Sequence, residues 1–533
     1  MKKYFTLFTA LSLCTVLHAQ IAPSIEWEKS YGGTNEDEAS SIHETTNGGF
    51  IIAGESYSND IDVSGNHGAS DYWIVKMDAS GTIDWQKTLG GTINDVASDV
   101  QQASDGGYIV CGFSRSNNGD VTGHHGSTST NDYWVVRLDS IGNLLWQKSL
   151  GGSFNDFANS IVQTEDGGFV VAGYSSSNDG DVTGHHGSTV SSDYWIVKLD
   201  STGNLLWQKS LGGNSPDNAN QIQRTSDGGL IVCGSSSSND GDVSGNHGNS
   251  DFWLVKLNAS GNLLWQKCFG GIGDDVASSL AQTSNNGFII AGWSNSNDGD
   301  VSGNHGNYDY WVVKSDDAGN LVWQKSLGGT AGEFAYSVTQ TSDNGFVVGG
   351  YSGSGNGDVT GYHGGVFWGD YWIAKLDALG YLDWQKCLGG TNDEVANSVL
   401  QTTGGGIIVA GWSESSDDDV TVNYGSADVW VVQLSVATSA EEHGEATAYF
   451  SLSPNPANKV CHLILHTIAS ESTEAIVSFT NLLGGQVFLQ SYPALNGNLE
   501  EEISLDKNFA DGIYLVKVTC GDHQWIQQLV ISR

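Results

Sequence analysis

The sequence predicts an all-β chain: a seven-bladed β-propeller closed by pairing of an N-terminal strand with the last blade, then a small C-terminal β-sandwich. Three observations carry that expectation. Trp-Gln-Lys, or Trp-Glu-Lys in the first copy, stands at Trp27, Trp85, Trp146, Trp207, Trp265, Trp323 and Trp384, at spacings of 58 or 61 residues; repetition at such a period signals a solenoid, a propeller or a tandem array. Each unit divides into four short strands bounded by Gly, Asn and Asp. The array also begins with a spare fourth strand and ends with a unit that lacks one.

Taken in order, residues 1–19 combine Lys2 and Lys3 with an apolar run from Leu7 to Leu17 and Ala19 before Gln20, the pattern of a cleavable secretory signal. Leu13 precedes Cys14 where a lipoprotein site would have a small residue, so no lipid anchor is expected there. The propeller is assigned to 20–436. In the third copy the strands are read as Asn159 to Thr164, Phe169 to Tyr174, Tyr194 to Leu199 and Leu205 to Leu211. Asp166-Gly167-Gly168 joins the first two, because Asp-Gly supplies the positive φ of a tight hairpin. Ser201 to Asn204 forms a second turn. The spare strand, Ile25 to Tyr31, is expected to pair with the last unit, whose strands are Ser398 to Gln401, Ile407 to Trp412 and Val429 to Leu434. Such pairing removes two exposed sheet edges.

A second series, Trp73, Trp134, Trp195, Trp253, Trp311, Trp372 and Trp430, follows an Asp-aromatic or Asp-Val pair on the third strand. Tryptophan in fixed strand register reads as filler between blades rather than as sugar platforms. Cys111, Cys233, Cys268 and Cys387 replace small residues of other copies and read as buried fillers, whereas Cys461 and Cys520 could pair in an oxidising compartment.

The second-to-third strand loop and the fourth-to-first connection emerge on one face, and all length variation between copies falls in that loop. Its aspartates recur as Asp62, Asp120, Asp181, Asp242, Asp300, Asp358 and Asp419, and its histidines as His67, His125, His186, His247, His305 and His363, with Tyr424 in the seventh copy. Two readings stay open. Asn-Asp-Gly-Asp has the spacing of part of a calcium loop without its closing Glu, so calcium is the candidate cofactor; alternatively the side chains cap their own turns and the histidine bonds a neighbouring loop. A second acid, at Asp37, Asp95, Asp156, Asp217, Asp275, Glu333 and Glu394, either rings a cation or accepts backbone N–H bonds. Departures from the repeat include Arg115, Arg224 and an aromatic pair in the sixth loop, Phe367 and Trp368, which are the ligand-binding candidates.

A formal charge of −40, from 61 acidic and 21 basic residues, repels phosphate backbones and anionic lipid heads, so nucleic acid is not an expected partner. No apolar run after the signal is long enough to span a bilayer. The usual nucleophile, phosphate-loop and metalloprotease motifs are absent from the sequence, and its carboxylates repeat sevenfold where an active site would break symmetry, so no catalytic residue is assigned.

Residues 437–448 are small, polar and acidic and read as a linker. The segment 449–533 then carries Phe450-Ser451-Leu452-Ser453-Pro454-Asn455-Pro456, Asn481 to Val487, Asp511-Gly512-Ile513-Tyr514-Leu515-Val516-Lys517-Val518 and Gln528-Leu529-Val530-Ile531. In that order these motifs resemble the type A C-terminal sorting domain of the type IX secretion system of Bacteroidota, with Pro454, Asn455, Pro456, Gly512 and Tyr514 as its motif residues. The resemblance implies a small sandwich read by the outer-membrane export machinery and often removed, leaving the passenger on surface lipopolysaccharide or released. The expectation is a non-enzymatic protein, secreted or displayed on the cell surface after passage through the periplasm, that binds a glycan or a protein through its loop-rich face. The alternatives are a polysaccharide-active hydrolase or lyase and a purely structural surface-layer protein.

Overall fold

The computed structural model describes residues 22–365, 368–436, 449–453, 457–466, 473–481, 485–494, 498–505, 509–510, 512–520 and 523–531. The signal reading at 1–19 and the linker reading at 437–448 lie outside the described residues. The chain divides into two compact units, the first ending at Thr438. Every element among the described residues is a β-strand.

The first unit is a propeller-like array of seven four-stranded antiparallel sheets. Sheets one to six span 37–89, 95–150, 156–211, 217–269, 275–327 and 333–388. The seventh combines Glu394–Gln401, Ile407–Ser413 and Asp428–Leu434 with the N-terminal strand Ile25–Tyr31, which pairs antiparallel to Asp428–Leu434. The third strands are buried along their whole length, as runs of Val, Ile and aromatic residues covered on both faces require. The hairpin turns behave as their sequence demands: Gly167 has φ +79°, and where the fifth and sixth copies replace this glycine, Asn286 and Asn344 adopt φ +65°.

The first strands begin earlier than the sequence suggests. In the third sheet the strand is Asp156–Gln163, so the recurrent acid is its first residue. A register shift between Ala158 and Ser160 explains the difference, because the bulge interrupts the period-2 pattern while the ladder continues.

Seven cores lie between adjacent sheets. One of them joins Ile408, Ala410, Val429 and Val431 of the seventh sheet to Phe50, Ile52 and Trp73 of the first. The third-strand tryptophans fill these interfaces at 0–1 % exposure. The Tyr72 hydroxyl reaches across to donate to the Trp134 carbonyl at 2.8 Å, and Tyr133, Tyr194, Tyr310 and Tyr371 repeat the bond at 2.8–2.9 Å. Phe252 keeps the ring contact with Trp311, at 4.4 Å between centroids, but has no hydroxyl to donate. Cys111 and Cys233 are fully buried among these side chains.

The glutamine of Trp-Gln-Lys has a specific task. A buried indole N–H needs an acceptor, and Gln86, Gln147, Gln208, Gln266, Gln324 and Gln385 accept it at 2.8–3.1 Å. In the first copy Glu28 accepts from Trp430 at 2.9 Å. The Trp of the same tripeptide packs on the next sheet's turn: a Cβ on Gly203 would lie 2.9 Å from the Trp146 ring.

In the C-terminal unit a three-stranded sheet (Tyr449–Ser453, Val460–His466, Asn498–Ser504) and a four-stranded one (Thr473–Asn481, Gln486–Ala494, Gly512–Cys520, His523–Ile531) share one core. Cys461, Phe479, Val516, Cys520 and Leu529 are buried in it.

Replacing Gln208 by Ala leaves the Trp195 indole without its acceptor and is expected to cost about 1–3 kcal/mol, read from equilibrium denaturation. Gln208→Glu, which reproduces the Glu28 arrangement, should cost less; equal losses in both variants would show that the bond is not the operative term.

Candidate functional site

The loop-rich face rests on a buried layer of carboxylates. Asp37 is 0 % exposed, accepts the Gly33 N–H at 2.7 Å and the Ser58 hydroxyl at 2.8 Å, and also bonds Ser56. Asp95, Asp156, Asp217, Asp275, Glu333 and Glu394 accept the corresponding glycine N–H at 2.7–2.9 Å. These acids therefore serve the backbone-capping reading. Asp71 and its counterparts Asp132, Asp193, Asp251, Asp309 and Asp370 hold the loop histidines, with Oδ2 2.6–2.9 Å from Nδ1. The Oδ1 atoms of Asp71, Asp132, Asp193, Asp251, Asp309 and Asp428 have no hydrogen-bond partner. The two layers meet at a glycine: a Cβ on Gly90 would lie 2.5 Å from Asp71 Oδ1 and 2.6 Å from Asp95 Oδ2.

Burial pushes these carboxyls up, against the lowering effect of their hydroxyl and N–H donors. Asp95 and Asp217 reach about 6, and Asp156 and Glu394 about 7. Asp251 rises to about 6 and Asp428 to about 7, again mainly by burial.

The seven calcium candidates each fasten their own loop. Asp62, Asp120, Asp181, Asp242, Asp300, Asp358 and Asp419 point Oδ2 at the first N–H of the Gly-Gly pair at 3.2–3.4 Å. Their backbone N–H groups donate to the same glycine's carbonyl at 2.8–3.1 Å. Among the described residues no group of three or more His, Cys, Asp and Glu side chains is arranged to hold a metal ion. His67 Nε2 lies 3.9 Å from Asp120 Oδ2, and His125, His186 and His305 face the next loop's aspartate at 3.7–4.0 Å.

Beneath these regular loops runs a belt that varies from sheet to sheet. On the first strand Glu38 and Ser40 alternate with buried Asp37 and Ala39, so they share a face, and Glu38 pairs across the ladder with Glu55. The equivalent pairs are Val96 and Phe113, Phe157 and Tyr174, Asn218 and Ser235, Val276 and Trp293, Phe334 and Tyr351, and Val395 and Trp412. Neighbouring pairs touch: Phe113 and Phe157 are 4.8 Å apart by centroid, and Trp293 and Phe334 5.6 Å. Tyr308 joins the latter two at 5.0 and 5.3 Å. The belt is thus aromatic over much of its course and acidic in the first sheet. There burial, then Glu55, Glu36 and Glu414, push Glu38 up to about 7. Glu55 is also raised by burial, and its buried Oε2 has no hydrogen-bond partner.

Of the predicted ligand contacts, Phe367 lies outside the described residues. Trp368 is 43 % exposed, and the next residue, Gly369, packs on the Tyr351 ring of the belt. Arg115 bonds Asn131 at 3.0 Å and Arg224 bonds Glu165 at 2.8 Å. In the C-terminal unit Gly512 opens a strand at φ +150°, and the buried Tyr514 hydroxyl donates to the Ala510 carbonyl at 2.9 Å. Pro454, Asn455 and Pro456 lie outside the described residues. The belt acids Glu38 and Glu55 were legible only as departures at two half-exposed strand positions, a signal separate from the loops and from the tryptophan register.

Residues 451–532 match the family described as "Secretion system C-terminal sorting domain". Over 399 residues the chain is 25% identical to Regulatory protein FlaEY of Caulobacter vibrioides, covering 67% of this chain and 40% of that relative, so it spans less than half of the relative's length. Among solved structures it is similar to PorZ, a surface component of the type IX secretion system of Porphyromonas gingivalis, at TM-score 0.39 and 11% identity, covering 94% of this chain and 60% of that one. A puromycin hydrolase is similar at TM-score 0.43 and 9% identity, covering 81% and 59%.

A carboxyl whose folded pKa is raised binds its proton more tightly folded than unfolded. Its contribution favours the fold at low pH and is lost as pH climbs through about 6 to 7. The thermal midpoint should therefore fall by several degrees between about pH 5 and pH 8, measured by calorimetry; a midpoint that rises over that interval would contradict the burial account.

Proposed function

We infer, from a C-terminal unit that belongs to the secretion-system sorting domains and marks the chain as a type IX secretion substrate exported to the cell surface or beyond it, that the repeat region is a closed seven-bladed propeller binding a glycan or protein partner without catalysis. Closure is supported by contacts that cross from the last sheet to the first: Asn397 Nδ2 donates to the Ala39 carbonyl at 2.8 Å, and the Thr403 hydroxyl donates to Glu44 at 2.9 Å. It is supported too by one cavity lined by the first strands of all seven sheets.

The observation that carries the binding reading is the belt. A scaffold that repeats its loops, clamps and core sevenfold departs from repetition at the paired positions beneath its loop face, and fills half of them with aromatic side chains. Such side chains offer large, rigid contact area at low conformational cost, which suits a sugar face or a protein hot spot. Trp368 adds an exposed aromatic side chain in the long loop of the sixth sheet.

One observation favours a polysaccharide-active enzyme instead. Glu38 and Glu55 are paired carboxyls, one of them held near neutrality, as acid and base partners in glycoside cleavage require.

Deleting Ile25–Tyr31 uncovers both the Asp428–Leu434 edge and the buried Trp430, and should lower the thermal midpoint and promote association in size-exclusion chromatography; unchanged behaviour would argue against closure. Retention of the exported protein on arrays of glycans and matrix proteins should be saturable and should weaken by about tenfold or more when Trp293 and Phe334, or Phe367 and Trp368, become alanine. Release of oligosaccharide that Glu38→Gln abolishes would establish the enzyme reading, and neither retention nor turnover would leave a structural surface protein.

A further inference from the structure

The cavity walled by the first strands has a volume of about 220 Å³ and is lined mainly by hydroxyl and amide side chains, with Val162 and Ile222 as its apolar members. Groups of this kind both donate and accept, so a polar guest can be satisfied in any rotation. No lysine or arginine lines the cavity, which removes the usual means of holding an anion. Its one carboxylate is already committed: Asp99, 9 % exposed, accepts from the Ser41 and Ser160 hydroxyls at 3.1 Å and from the Ile161 N–H at 3.0 Å. Gln221 performs a related task two sheets on, accepting from the Ser279 hydroxyl at 3.0 Å, so the Asp99 charge serves strand bridging and is not free to coordinate a cation.

Beside Asp99 and Gln221, which stand where the other five copies have Ser, two more residues distinguish the wall. Tyr336 stands where the other copies have Ser or Asn, and brings a phenol ring among hydroxyls. His43 stands where the others have Gln, Val, Ala, Thr or Leu; its side chain is 41% exposed and its Nε2 lies 3.8 Å from Asp99 Oδ1. Hydroxyl and amide partners around a single aromatic face are the chemistry that recognises a ring bearing hydroxyl groups on its edge and C–H bonds on its face. A volume of about 220 Å³ accommodates one such ring.

We propose that this channel is a binding site for a single neutral sugar ring or cyclic polyol, with His43 and Tyr336 as its specificity-determining residues. The site is separate from the belt and does not depend on the loop face having a partner.

The test uses the full exported chain with methyl glycosides of glucose, galactose, mannose and N-acetylglucosamine and with myo-inositol, read by titration calorimetry and ligand-observed NMR. At least one probe should bind saturably, and His43→Gln with Tyr336→Ser, which places in the wall residues that other copies carry at these positions, should weaken it by about tenfold. The double variant should melt with the parent; if it does not, the His43 ring resonances of the parent supply the readout and should shift on addition of the bound probe. Trp293→Ala should leave this binding intact. Absence of saturable binding by every probe, unchanged affinity in a folded double variant, or unshifted His43 resonances would each overturn the proposal.

Discussion

The structure depends on satisfying one buried donor. Each sheet interface is filled by a tryptophan too large to be replaced and too polar at one nitrogen to be left alone. The acceptor comes from the neighbouring fourth strand, and that choice has a second effect. The same glutamine that accepts the indole proton turns its amide nitrogen outward to the long loop: Gln86 donates to the Ser64 hydroxyl at 2.6 Å and Gln266 to that of Ser244 at 2.7 Å. Core packing and loop position are thereby tied through one side chain. Glu28 cannot donate, and the direction of the outer bond reverses, with the Thr421 hydroxyl donating to it at 2.6 Å. The single Trp-Glu-Lys of the series is accommodated by changing its partner rather than its geometry.

The carboxylate layer does for the connections what glutamine does for the long loops. It ties the Gly-Gly backbone to the end of the second strand and the loop after it through serine hydroxyls, in a space too tight for any side chain on the glycine. Such groups are costly to bury, and the raised pKa values measure that cost. The return is a face whose loops are held from both sides. Variation is then left to the belt and the channel wall, which lie outside the repeated clamps and the sevenfold core.

Much of the fold was legible because its determinants recur at fixed spacing. The spare strand at Ile25–Tyr31, its pairing with the last sheet and the roles of both tryptophan series follow from register alone. The first strands were harder to read, since the bulge after Ala158 shifts the alternation by one residue and hides the buried acid at the strand's start. Glu38 and Glu55 escaped attention for a different reason. On a strand, a half-exposed position tolerates any residue, so a glutamate there resembles ordinary surface until cross-strand pairing places two together. The loop aspartates recur because the Gly-Gly backbone they fasten recurs.

The position of the last strand has a mechanical consequence. Asp428–Leu434 is the last strand of the first unit in sequence, yet it is flanked by Ile25–Tyr31 on one side and Ile407–Ser413 on the other. Tension applied from the C-terminal side therefore loads a central strand along its length, so that two ladders resist in shear instead of one edge peeling bond by bond. A passenger held at a cell surface by that end, under flow or against a tethered partner, would transmit force into a strand braced on both sides.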